Sequence, residues 1–167
     1  MKSLLMTDRI QIRPARTSDA PAIAELTIQL GYEVAPALVA ERLARMVAGG
    51  DQQFLVAELD GDVVGWVHVA VMEYIETGAF AVIGGLVVDR RHRKKKIGRL
   101  LMTKAEAWAR EHGCSIVRLS SSSFRAESHR FYEHLGYANI KTQYSFVKPL
   151  DRAGEDAIRG FVPRVHP

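Results

Sequence analysis

A single cysteine, Cys114, occurs in the 167 residues, which excludes an intramolecular disulfide framework and leaves too few thiolates for a zinc site. Cysteine used this sparingly fits a reducing compartment, and a cytoplasmic location is expected. Long hydrophobic runs are lacking too. The apolar patch near the N-terminus, Leu4-Leu5-Met6, is too short for a signal-peptide core or a membrane span, so no targeting segment and no membrane partner are expected. Charged residues stay at 25% beside 47% hydrophobic ones, which leaves little room for an extended disordered region. Metal-ligand clusters are also missing: neither Cys114 nor His129 has a ligating partner at useful spacing, and no metal is expected.

What the chain does have is a net charge of +4, much of it in one stretch, Arg90-Arg91-His92-Arg93-Lys94-Lys95-Lys96-Ile97-Gly98-Arg99. The stretch carries no interleaved aromatic residue on which bases would stack, so no nucleic-acid partner is expected. The length suits one domain burying roughly 70% of its unfolded surface. Residues 1–150 are expected to form it, with 151–167 as a polar C-terminal tail.

Hydrophobic spacing orders the chain. Ile10 and Ile12 alternate in a first strand over 9–13, ended by Pro14. A helix follows, with Thr17 or Ser18 as its cap, Pro21 in its first turn, Ile23, Leu26 and Leu30 inward, and Gly31 as its stop. A second helix begins at Pro36 and stops at Gly49-Gly50. Strands over 54–59 and 63–72 flank Asp60-Gly61, a pair suited to a tight hairpin. Another β-branched run spans 79–89. Helical spacing resumes over 97–112, then come a short strand at 116–119, a helix at 127–135 and a last strand at 144–147. This order predicts an α/β fold with a mixed, mostly antiparallel central sheet, helices on both faces and a right-handed crossover late in the chain.

Where the strand ending at Asp89 passes through the basic turn into the helix at Ile97, unpaired N–H groups and the positive dipole end form an anion site. The segment Arg93-Lys94-Lys95-Lys96-Ile97-Gly98 resembles the pyrophosphate loop of the GNAT superfamily of acetyl-coenzyme A-dependent N-acetyltransferases. A second segment, Ser128-His129-Arg130-Phe131-Tyr132-Glu133-His134-Leu135-Gly136-Tyr137, resembles that family's Phe-Tyr helix with its Leu-Gly-aromatic ending. The specific part of the resemblance covers 86–137, and element order extends it from Ile10 to Val147. One position departs from the family: Lys96 stands where glycine is usual, and it is expected to take a permitted helical conformation and add an ion pair to phosphate.

The resemblance implies a GNAT fold in which acetyl-coenzyme A enters between two splayed parallel strands ending near Val88 and Ser120. By that analogy Leu86, Val87 and Val88 hold the pantetheine arm or acetyl carbonyl through backbone groups. The turn of Arg93, Lys94, Lys95, Lys96, Ile97, Gly98 and Arg99 wraps the pyrophosphate, and Arg125 and Ser128 contact other parts of the cofactor. The implied reaction is direct acetyl transfer to a primary amine of a small molecule or peptide, with Tyr132 protonating the departing thiolate. Gly84 lies near the place where many relatives have a glutamate, so the proton acceptor is sought among Glu73 and Glu76, after the third strand, and His68 within it. Tyr32 and Glu33, between the first two helices, are expected to shape the acceptor pocket. A homodimer is compatible with the family. The alternative reading is a non-catalytic acyl-coenzyme A-binding regulatory module.

Overall fold

Alternation of Ile10 and Ile12 does place them on a strand, β1 (Ile10–Pro14), which pairs antiparallel with β2 (Gln52–Leu59). In the computed structural model residues 9–162 are described; the Leu4-Leu5-Met6 patch and the end of the tail lie outside them. The chain divides into two compact units, one ending at Leu119 and the other beginning at Ser120.

The first unit is built on a five-stranded sheet in the order β1-β2-β3-β4-β5, with β3 (Asp62–Tyr74), β4 (Gly78–Val88) and β5 (Val117–Leu119). Pairings are antiparallel as far as β4, and β4 with β5 is parallel. The β2–β3 turn uses Asp60 at φ 54° and Gly61 at φ 91°, the positive values that match a tight turn to strand twist. Helices α1 (Ala20–Leu30) and α2 (Pro36–Gly49) follow β1, and α3 (Ile97–Glu111) links β4 to β5.

Neighbouring residues on a strand point to opposite faces, and β3 shows which helices cover which. Trp66 is buried in one cluster with Ile23, Ala24 and Leu26 of α1 and Val39 and Leu43 of α2. Gly65, next to it, faces Leu101 of α3, which would stand 3.3 Å from a Cβ at that position. The sheet is therefore sandwiched, and α3 buries Ile97, Leu101, Met102, Ala105 and Ala109.

Two features at the start of α1 differ from expectation. Neither Thr17 nor Ser18 caps the helix; residues Thr17–Asp19 form a 3-10 turn, and the Asp19 carboxylate accepts the Arg16 N–H at 2.7 Å. Asp19 also accepts both terminal nitrogens of Arg13, at 2.7 and 2.9 Å, while Arg13 Nε donates to Glu58 at 2.7 Å. This part-buried ion triad ties β1, the turn and β2 together.

In the second unit the expected helix is α4 (Ala126–His134). The strand expected at 144–147 does not form. Among the described residues nothing pairs with that segment, and Tyr144 and Phe146 are 91% and 93% exposed. Period-two alternation makes a strand only when a neighbour takes up its backbone groups. The tail carries a short helix, α5 (Arg152–Ala157), whose Asp151 side chain caps Gly154 N–H at 2.8 Å.

Candidate functional site

Strand β4 has a partner on both edges only part of the way. Its parallel pairing to β5 covers Ala81, Val82 and Ile83 and then stops, so among the described residues no strand accompanies 84–88 on that side. The break coincides with a bulge. On β3, Val69 pairs with Ile83 but His68 pairs with Gly85, so Gly84 is an extra residue. An extra residue reverses which edge each amide faces. Ala81 N–H is directed to β5, where it donates to the Ile116 carbonyl at 2.9 Å, whereas Asp89 N–H is directed to β3 and donates to Val64 at 2.9 Å. Counting back from Asp89 by the strand period, Leu86 and Val88 present their N–H groups to the open edge. Val87 does the opposite, and its side chain is part of the α1–α2 core cluster.

Both glycines of the bulge are demanded by close approach. A Cβ on Gly84 would stand 2.5 Å from His68 Nδ1, and one on Gly85 would stand 2.7 Å from the Trp66 ring. His68 Nε2 lies 2.9 Å from Gln52 Oε1 of β2. The Phe54 ring stacks on the imidazole with centroids 5.9 Å apart. Burial lowers the His68 pKa, so the ring is neutral at physiological pH.

Beyond Val88 the chain turns into α3 on a buried carboxylate. Asp89 is 4% exposed; it accepts the Arg91 N–H at 2.9 Å and the Arg91 guanidinium at 2.7 Å. Those bonds hold its pKa down at about 2. Gln29 of α1 accepts the Arg90 N–H at 3.0 Å. With the turn anchored at its base, Arg93, Lys94, Lys96 and Arg99 extend outward and Lys95 is half-buried. Lys94 and Lys96 both have left-handed backbone, at φ 63° and 64°. Lys96 thus does not take the permitted helical conformation expected of it but sits in the left-handed region glycine favours, and from there its carbonyl accepts Leu100 N–H at 3.0 Å to start α3. Buried Ile97 fixes the helix end, leaving the first-turn N–H groups of Ile97, Gly98 and Arg99 without intrahelical partners. Together they present the positive end of the α3 dipole beside the cationic turn.

The remaining candidates are spread more widely. Tyr132 on α4 is half-buried, with ring centroids 5.3 Å from Phe131 and 6.0 Å from Tyr137. Burial raises its pKa, against a smaller opposing effect of Arg125, so the phenol keeps its proton at neutral pH. Ser128 is one helical turn before Tyr132 on the same face. Arg125 precedes α4, and its guanidinium lies over the Phe124 ring at 5.6 Å. Glu73 is on β3 itself, opposite Ala79, rather than in a loop. Glu76 is in the turn that follows, and both are exposed. Five residues of strand separate Glu73 from His68, about 17 Å. Tyr32 is half-buried and Glu33 exposed, directly after the left-handed Gly31 that ends α1.

Sequence reasoning passed over Asp89, Gln29 and Gln52. Asp89 had a readable signal, since an aspartate heading a turn accepts a backbone N–H two residues on. The two glutamines act through pairings between distant elements and gave none. Among the described residues no group of three or more potential metal ligands occurs, and no helix is long and apolar enough to cross a membrane.

Comparison with known proteins agrees with this geometry. The sequence model of the acetyltransferase (GNAT) family matches residues 21–137. An N-acetyltransferase of Chlorobaculum tepidum, described as uncharacterized, is 32% identical over 136 residues, 80% of this chain and 78% of that protein. An aminoglycoside N(6')-acetyltransferase type 1 of Stenotrophomonas maltophilia is 26% identical over 145 residues, covering 84% and 94% of the two chains. Glucosamine-6-phosphate N-acetyltransferase from Arabidopsis thaliana superposes with a TM-score of 0.73 at 26% identity, covering 83% of this chain and 97% of that one.

Proposed function

Because the chain belongs to the acetyltransferase (GNAT) family and is an N-acetyltransferase, we propose that its donor is acetyl-coenzyme A and its acceptor a primary amine of a small molecule or peptide. The observation that carries this reading is the open edge of β4 over 84–88, continuous with the cationic turn and the bare amide end of α3. Acetyl-coenzyme A supplies the activated thioester. The residues that hold it are the open-edge amides of Leu86 and Val88, which match an amide-bearing arm and a polarised carbonyl, and the turn from Arg93 to Arg99, which matches a pyrophosphate.

Val87 contributes by anchoring that edge to the core. Arg125 and Ser128 are proposed as further cofactor contacts from the second unit, and Tyr132 as the proton donor to the thiolate, a role for which its retained proton suits it. Glu73 and Glu76, both exposed, are proposed to offer carboxylate charge to a cationic acceptor. Tyr32 and Glu33 are proposed to border the acceptor.

Titration calorimetry with acetyl-coenzyme A, followed by thiol release across a panel of amines, tests the reading. Binding at one per chain with amine-dependent release supports it. Absence of binding overturns it, and binding with no release from any amine favours the acyl-coenzyme A-binding module.

A further inference from the structure

We propose that His68 is the general base of the acetyl transfer, taking a proton from the acceptor amine onto Nδ1; this rests on the acetyltransferase reading above. Three observations place it in that role. Gly84 is exposed although it lies within β4, between the stretches that pair with β3 and β5. The sheet face is therefore open at the point where the free edge begins. No side chain at position 84 would fit, since its Cβ would meet His68 Nδ1 at 2.5 Å. The imidazole reaches across from β3 and takes the space that a β4 side chain would have filled. The third observation is a partner for the far ring nitrogen. Gln52 Oε1 lies 2.9 Å from Nε2, and a neutral ring that donates to this oxygen carries its hydrogen on Nε2. Its lone pair is then on Nδ1, the atom nearest Gly84.

The surroundings keep the ring neutral, so that the lone pair is free to take a proton. Gln52 and Phe54 of β2 and Gly84 and Gly85 of β4 flank the ring, and Leu30 at the end of α1 comes within 3.8 Å of a Cβ at Gly85. The charged residues on the two helices of this face are Glu25 on α1 and Glu41, Arg42 and Arg45 on α2, with Glu41 and Arg45 paired to each other. None of them shifts the imidazole, which burial alone displaces downward.

In the step, Nδ1 takes one proton from the ammonium form of the acceptor. The freed nitrogen lone pair forms the N–C bond to the acetyl carbonyl, the C–S bond breaks, and its electron pair goes to sulfur, which receives a proton from Tyr132. The nitrogen gives up its second proton to restore the phenol, and the imidazolium releases its own to solvent. One ammonium and one thioester thus become one amide, one thiol and one free proton.

Long-range 1H–15N correlation spectra of the full chain report the His68 tautomer directly, whether or not an acceptor is in hand. The Nε2–H form, titrating below the usual histidine value, is expected; an Nδ1–H form overturns the proposal. On any amine that turns over, His68→Gln lowers kcat/KM by about 10²–10³-fold and removes the acid limb of its pH profile. Calorimetric affinity for coenzyme A stays unchanged. Gly84→Ala, which retains the imidazole but pushes it aside, reproduces the loss. An unaltered kcat/KM in His68→Gln sinks the proposal and leaves acetyl transfer standing. A wild-type chain from which no amine of the panel releases thiol counts against the acetyltransferase reading, and the general-base role falls with it.

Discussion

Lys96 illustrates how one side chain carries opposing demands. Its left-handed backbone at φ 64° costs an L-residue about 1–2 kcal/mol that glycine does not incur, while its ammonium adds to the cationic turn. Lys96→Gly is therefore expected to raise Tm by roughly 2–4 °C, corresponding to about 1 kcal/mol. If the turn holds coenzyme A as proposed, the same change weakens that binding and flattens its salt dependence, because the turn loses one cation. Calorimetry at two ionic strengths with a thermal scan reads both effects, and a lowered Tm would refute the backbone argument. Tyr132 presents a simpler case. Its raised pKa keeps the phenol protonated to higher pH than an exposed tyrosine, so activity should persist on the alkaline side until above the ordinary phenol range. Tyr132→Phe is expected to lower kcat by about 10²-fold with cofactor affinity retained. A rate equal to wild type would take the proton-donor role away from it.

Between elements, the Arg13–Asp19–Glu58 triad holds β1 against β2 and sets the entry to α1. Its bonds pull the Asp19 pKa down. Depressed carboxylates stabilise above their unfolded pKa, and that contribution fades as pH falls through the lowered folded value. Asp19→Ala leaves Arg13, 11% exposed at its side chain, without its bidentate partner, and is expected to cost about 3–5 kcal/mol in urea unfolding. A loss under 1 kcal/mol would show that water replaces the carboxylate. This triad was not legible in the sequence, because nothing local says that Arg13 meets residues at positions 19 and 58. The hairpin at Asp60-Gly61, the helix stops at Gly31 and Gly50 and the helix start at Ile97 were legible, since each depends on backbone preferences of the residues that form it. The bulge lay between these cases. Gly84-Gly85 signalled a close approach, but the imidazole and indole that approach come from β3, and only the strand register reveals them.

For the molecule as a whole, the segment after α4 raises the question of what covers it. Ile140, Tyr144, Phe146 and Leu150 are 79%, 91%, 93% and 90% exposed, within eleven residues of a chain that carries a net charge of +4. Scattered exposed apolar residues need no explanation, but four large ones so close in sequence form the kind of patch that proteins cover by association. The alternation that invited a strand prediction at 144–147 has no pairing partner among the described residues. A second copy is the partner to test, since most soluble homo-oligomers are closed symmetric pairs. Light scattering coupled to size exclusion is expected to return the dimer mass. The double change Tyr144→Ser and Phe146→Ser should shift it to the monomer in proportion to dilution, with far-ultraviolet dichroism preserved because the sheet of the first unit takes no residue from this segment. A wild-type chain that stays monomeric at micromolar concentration, with the apolar residues in place, would leave the segment to be covered by a different protein and defeat the self-association argument.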